Sequence, residues 1–144
     1  MTLHRPGLTE AEFIAWGDRF PDHRLEYTAG GELLVIPGTC LAAGARLGEV
    51  SGQLANWARA DGRGRAYSSS TSFLLPNGAR RSPGASWVHS ARRRAAQQPG
   101  VRFPVLAPDF LIELKSPSDR LKKLREKMEE WLENGVRLAW LIDP

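Results

Sequence analysis

Residues 108–119 read Pro108-Asp109-Phe110-Leu111-Ile112-Glu113-Leu114-Lys115-Ser116-Pro117-Ser118-Asp119, and residues 120–144 carry the chain on to Leu138-Ala139-Trp140-Leu141-Ile142-Asp143-Pro144. This stretch decides the fold class. Phe110 to Leu114 is an apolar run of strand length, and Ser116-Pro117-Ser118-Asp119 breaks the chain behind it. Leu121, Leu124, Met128, Trp131 and Leu132 then form one stripe of a helix. Asp119 suits the N-terminus of that helix, and Asn134-Gly135 supplies a left-handed stop at its other end. Leu138 to Ile142 returns as a strand. A strand–helix–strand unit of this length predicts a parallel pair with a right-handed crossover.

Working outward, the pattern is mixed α and β. Thr9-x-x-Glu12 is a capping-box signature that opens a short helix through Phe13 and Trp16. Arg24–Tyr27 and Glu32–Ile36 read as strands joined by a turn at Ala29-Gly30-Gly31. Leu47, Val50, Leu54 and Trp57 predict an amphipathic helix of roughly residues 42–60, stopped by Gly62 and Gly64. Tyr67 to Leu75 and Arg80 to His89 flank Pro76-Asn77-Gly78, and Asn-Gly between two such runs predicts a hairpin. Ala91 to Gln98 reads as a short basic helix, and Pro99, Pro104 and Pro108 mark a connector. The expected architecture is an α/β domain: a mixed sheet flanked by helices, ending on an uncovered strand edge at Asp143-Pro144.

Composition bounds the rest. A chain of 144 residues suits a single domain, and 42% hydrophobic with 25% charged residues is globular composition. The net charge of +4 permits a nucleic-acid partner without demanding one. Cys40 is the only cysteine, which excludes a disulfide framework and a cysteine-based zinc site. No membrane-length apolar run or signal-peptide core is present, so the expected location is cytoplasmic.

The chemistry-bearing residues sit on the first strand of the deciding stretch. Strand alternation puts Asp109, Leu111, Glu113 and Lys115 on one face, with Glu113 and Lys115 about 6–7 Å apart. A carboxylate beside an ammonium can hold Mg²⁺ and orient a water against a phosphate. The same pair also reads as an ordinary surface ion pair. Asp109, about 13 Å along the strand from Glu113, is too far to share an ion and has a local role at the strand entry. Arg80-Arg81, Arg92-Arg93-Arg94 and the Arg120–Lys127 helix face are candidate phosphate contacts, or simply solvated charge. Nothing here resembles a sequence-reading DNA motif.

Four segments together point further: Ser69–Gly78, Arg81–Val88, Pro108–Asp119, and Glu126-Lys127-Met128 through Asn134-Gly135-Val136 to Trp140-Leu141-Ile142-Asp143-Pro144. Their order and content resemble the Uma-type family of restriction endonucleases, within the PD-(D/E)XK nuclease superfamily, from about Leu8 to Pro144. The resemblance implies a restriction-endonuclease-like α/β core, a Mg²⁺ cofactor, DNA as substrate and a possible homodimer. It also implies further strands beyond Pro144 in relatives, so the chain resembles a C-terminally truncated member. Carried over residue by residue, the family's second acid falls on Glu113 and its helical lysine on Lys127. Lys127 lies about 40° from Trp131 on a helical wheel, at the edge of the apolar stripe. Lys115 stands where relatives often carry Arg and suits a phosphate-positioning role. Glu49 and Glu26 match further acidic positions and are candidate metal ligands.

The departures matter as much. Where the family has Pro-Asp-Ala-Ser-Trp-Val, this chain has Pro83-Gly84-Ala85-Ser86-Trp87-Val88, so Gly84 stands in the place of the metal-binding aspartate. Ser68, Ser72 and Leu47 replace the family's usual Asp, Gly and Asn. An ion would then rest on Glu113, water and substrate, which is thin even for Mg²⁺. Two expectations follow. One is a metal-dependent DNA endonuclease with impaired catalysis. The other is an inactive relative that binds DNA or a partner chain, or a decaying truncated copy.

Overall fold

The computed structural model describes residues 1–144. The deciding stretch folds as its periodicity dictates, into β8 (Phe110–Leu114), α4 (Leu121–Glu133) and β9 (Leu138–Ile142). β8 and β9 are parallel, with Phe110 opposite Leu138 and Leu114 opposite Ile142. Upstream lie β1 (Thr2–His4), α1 (Glu10–Arg19), β2 (Arg24–Tyr27), β3 (Glu32–Ile36), α2 (Leu41–Asp61), β4 (Gly64–Tyr67), β5 (Phe73–Leu74), β6 (Arg80–Arg81), β7 (Ala85–His89) and α3 (Ser90–Ala96). No helix is long and apolar enough to cross a membrane.

The strands form two sheets where the sequence suggested one. β4-β7-β8-β9 make a mixed four-stranded sheet, and β1-β3-β2-β6-β5 an antiparallel five-stranded one. The expected long strands Tyr67–Leu75 and Arg80–His89 each divide between the two. Ser68–Ser72 leaves the first sheet after β4 and delivers β5 to the second, with a turn in which the Thr71 amide donates to the Ser68 carbonyl. On the return, Ser82-Pro83-Gly84 separates β6 from β7, because Pro83 has no amide to offer a ladder. The hairpin tip itself stands as read. Gly78 takes φ +85, a left-handed conformation open to glycine, and the Leu75 amide donates to the Ala79 carbonyl.

Alternation along the strands sends side chains to two faces of the four-stranded sheet. Ala85 and Trp87 meet Leu54 and Ala58 of α2 on one face. Val88 and Leu111 meet Trp131 of α4 on the other, in a core that also takes in Phe73, Leu75 and Val136. α1 covers the five-stranded sheet through Phe13 against Leu25, Leu33 and Val35, and Thr9 and Glu12 cap it reciprocally as expected. Asp119 does not cap α4. That position falls to Arg120, while the Asp119 carboxylate accepts from the Ser116 amide and hydroxyl and closes a local turn.

Leu111 is fully buried between sheet and α4. Leu111→Ala is expected to cost about 2–5 kcal/mol of stability, measured by urea unfolding, since close packing leaves a cavity there.

Candidate functional site

β2 contributes Glu26, β8 contributes Glu113, and α4 contributes Lys127, so three elements from both sheets converge at one point. Each residue arrives there by its own local rule. Glu26 and Glu113 sit within strands, on faces turned toward the gap between the sheets, and Lys127 lies one helical turn before the buried Trp131. The Lys127 ammonium is 2.8 Å from Glu26 Oε1 and 2.8 Å from Glu113 Oε1, and it also donates to the Ser82 carbonyl at 3.4 Å. Both carboxylates are almost wholly removed from solvent.

Every remaining charge of the cluster is matched. Glu26 Oε2 meets Arg81 Nη1 at 3.2 Å, and Arg24 Nε lies 3.8 Å from Oε1. Arg81 Nε donates to Glu130 Oε2 at 2.6 Å, returning the network to α4. Glu113 accepts a further hydrogen bond from the Trp131 indole N–H at 3.2 Å. Burial alone would pull the Lys127 ammonium below its ordinary range, but the attraction of Glu113 and Glu26 outweighs it and holds the pKa up. Burial would likewise raise Glu26, yet Lys127 and then Arg24 hold its carboxyl below the ordinary range.

Gly84 lies beside this cluster, buried at the crossing between the sheets. A Cβ built there would stand 2.8 Å from the Ile112 carbonyl oxygen and 3.1 Å from Leu47 Cδ1. The position therefore lacks a carboxylate and also lacks room for one without movement of the β8 backbone. No three His, Cys, Asp or Glu side chains group where they could hold one ion. The two carboxylates that do converge already share an ammonium. These residues do not fit a Mg²⁺ centre.

The other sequence candidates lie elsewhere. Lys115 turns from Glu113 to Asp143 on the neighbouring strand end, 3.0 Å away, so neither the catalytic pair nor the surface pair with Glu113 forms. The β8–β9 pairing runs on through the Lys115 amide, which donates to the Ile142 carbonyl, and this sets Lys115 beside Asp143. Glu49 is exposed on α2 and accepts from Gln53 one turn on. Asp109 works locally, accepting from the His89 amide and pairing with Arg92, which removes Arg92 from the set of unengaged phosphate contacts. Arg80 and Arg81 leave that set too: Arg80 is buried over Phe13 and Phe103 and pairs with Glu10. Sequence reasoning missed Arg81, Glu130 and the Trp131 indole as members of the cluster. Only their placement on β6 and one turn of α4 brings them in.

A cleft of about 1560 Å³ opens between the sheets above the cluster. Ser69, Thr71, Arg102, Arg120, Lys123 and Lys127 are among the residues lining it.

Three comparisons bear on this geometry. A family model named Uma2 and described as "putative restriction endonuclease" matches residues 10–144. A crystal structure described as a "putative nuclease" from Anabaena variabilis superposes with a TM-score of 0.71 at 21% identity. That match covers 83% of this chain, which spans only 66% of the other's length. No curated protein matches. At that identity the structural likeness speaks for the fold.

Lys127→Met leaves two buried carboxylates around a vacated ammonium position. It is expected to cost about 3–5 kcal/mol near neutral pH. The Lys127 contribution is complete below the ordinary lysine value of 10.5 and is lost as pH rises through the raised folded value. The Glu26 contribution is complete above 4.5 and is lost as pH falls through the lowered one. Native stability should therefore plateau between these limits. The Lys127→Met deficit should shrink on acidification as the stranded carboxylates take up protons. Urea titrations at neutral pH and at about pH 5 check both.

Proposed function

The chain belongs to the Uma2 family, and from that premise we propose that it is a nuclease-fold protein which binds DNA in its cleft without cleaving it. One observation carries this reading: the Lys127 ammonium occupies the space between Glu26 and Glu113, where hydrolysis would require a metal and an attacking water. Phosphodiester cleavage by this class of site depends on a divalent ion that polarises the phosphate. Gly84 withholds one ligand for such an ion, and the ion pairs withhold two more.

DNA remains a suitable ligand for the cleft on charge. Arg120, Lys123 and Lys127 follow one another at three- and four-residue spacing, so they run along one side of α4 toward the gap. Arg102 stands on another wall, and the Ser69–Ser72 segment adds hydroxyl and amide donors. Such groups meet phosphates and carry no base specificity. Lys127 holds the floor of the cleft closed, while Arg120 and Lys123 are exposed and available to a backbone.

Two outcomes test this. Plasmid DNA incubated with the purified chain and Mg²⁺ or Mn²⁺ should remain supercoiled. Cleavage that disappears in Glu113→Ala would overturn the reading. Gly84→Asp should gain no cutting and should lose about 1–3 kcal/mol of stability, because the added atoms press on the Ile112 carbonyl. Metal-dependent cutting by that variant would show instead that the site can still accept an ion.

Binding should weaken steeply with salt. In a fluorescence-anisotropy titration of duplex DNA, Arg120→Ala with Lys123→Ala should flatten the log–log salt slope by about 1.8. An unchanged slope would place the DNA elsewhere.

A further inference from the structure

Arg92, Arg93 and Arg94 follow one another on α3, so their side chains leave the helix about 100° apart and cannot serve one surface together. Arg92 turns to Asp109, 2.9 Å away. Arg93 donates to the Gln97 side-chain oxygen at 3.2 Å, one turn on, which leaves the Gln97 amide nitrogen free to donate. Arg94 is exposed, engages no carboxylate, and lines a second hollow of about 570 Å³.

The rest of that hollow is built on anchored backbone. Gln98-Pro99-Gly100-Val101 is a tight turn, closed by the Val101 amide donating to the Gln98 carbonyl. Pro99 fixes one corner of it, and Gly100 at φ +76 makes the other. Beyond the turn stands Arg102, whose guanidinium lies 5.5 Å from the centre of the Phe103 ring. Phe103 in turn meets Phe13 of α1 edge-on, at 6.3 Å between ring centres. The hollow thus has a guanidinium at each end and side-chain amides between them.

Arg102 also lines the cleft between the sheets, so the two depressions meet at this one residue. Their charge differs. Asp18, Asp22 and Glu32 line the cleft among its basic residues, whereas no carboxylate lines the second hollow. A phosphate there would meet two guanidinium groups and amide donors with no acid in the wall. A polyanion leaving the cleft past Arg102 is therefore drawn on toward Arg94.

We propose that DNA held in the cleft continues across Arg102 into this second hollow, where Arg94 takes a backbone phosphate; the path rests on the cleft reading given above. Arg102 is the joint between the two stretches, and Gln97 and Gln98 donate to the same backbone.

Fluorescence anisotropy of a labelled duplex of about 20 base pairs, titrated at several salt concentrations, tests the path. Each phosphate contact contributes about 0.9 to the log–log salt slope, so Arg94→Ala should flatten it by that amount. The same loss should recur on top of Arg120→Ala with Lys123→Ala. Arg65→Ala removes an equal charge from β4, outside both depressions, and should leave the slope unchanged. In a Cys40→Ser background, bound duplex should slow the alkylation of Gln98→Cys. An unchanged slope for Arg94→Ala, beside a flattened one for Arg120→Ala with Lys123→Ala, overturns the path and leaves the cleft reading standing. Flattening by Arg94→Ala alone puts the DNA on the second hollow without the cleft and overturns both. Equal flattening by Arg65→Ala reports net charge and overturns the path, as does alkylation of Gln98→Cys at the same rate with and without bound duplex.

Discussion

The Lys127 ammonium is the point on which the two halves of this structure turn. It reaches one carboxylate from each sheet, Glu26 on β2 and Glu113 on β8, at the same 2.8 Å. Arg81 and Glu130 carry a second connection around the same loop, from β2 through β6 to α4. A buried charge pair contributes little net stability compared with well-packed apolar groups, but removing one member is costly. The cluster thus acts as a constraint on geometry: the sheets hold their relation because separating them would leave charge in a dry interior.

The same arrangement underlies the proposed loss of cleavage. A site for metal-assisted hydrolysis needs carboxylates that converge on a vacancy and a base that is free to accept a proton. Here the carboxylates converge on a cation supplied by the chain itself, and that cation is held protonated by the charges it neutralises. Gly84 belongs to this account in two ways. It brings no oxygen, and Leu47 with the Ile112 carbonyl fills the volume where one would hang.

Much of this was legible from residues alone, and the failures have identifiable causes. The β8–α4–β9 unit, α2 and the capped α1 declared themselves because their apolar periods are long and their ends carry caps or breakers. Glu113 was marked by its place beside Lys115 on the strand and again by family resemblance; Lys127 came from the resemblance, since periodicity could place it only at the edge of a stripe. The division of the hairpin between two sheets was hidden, because Arg80 to His89 reads as one strand unless Pro83 is given its full weight as a missing donor. Lys115 continues the β8 ladder beyond Leu114, but its ammonium goes to the directly neighbouring Asp143, a pairing across strands that strand alternation along β8 does not reveal. Arg80 and Arg81 looked like a phosphate-binding pair, yet neighbours on a strand face opposite ways. One entered the α1 core and the other the ion cluster.

Trp131 does two things at once: its ring fills the centre of the core, and its indole N–H holds Glu113. Phenylalanine could do the first and glutamine the second, but neither could do both. An acid whose partner is also the core's largest side chain cannot drift independently of that core. The packing that fixes Trp131 therefore reaches Glu113 and, through Glu113, the Lys127 ammonium, so a change in the core would be felt as a change in the charge cluster.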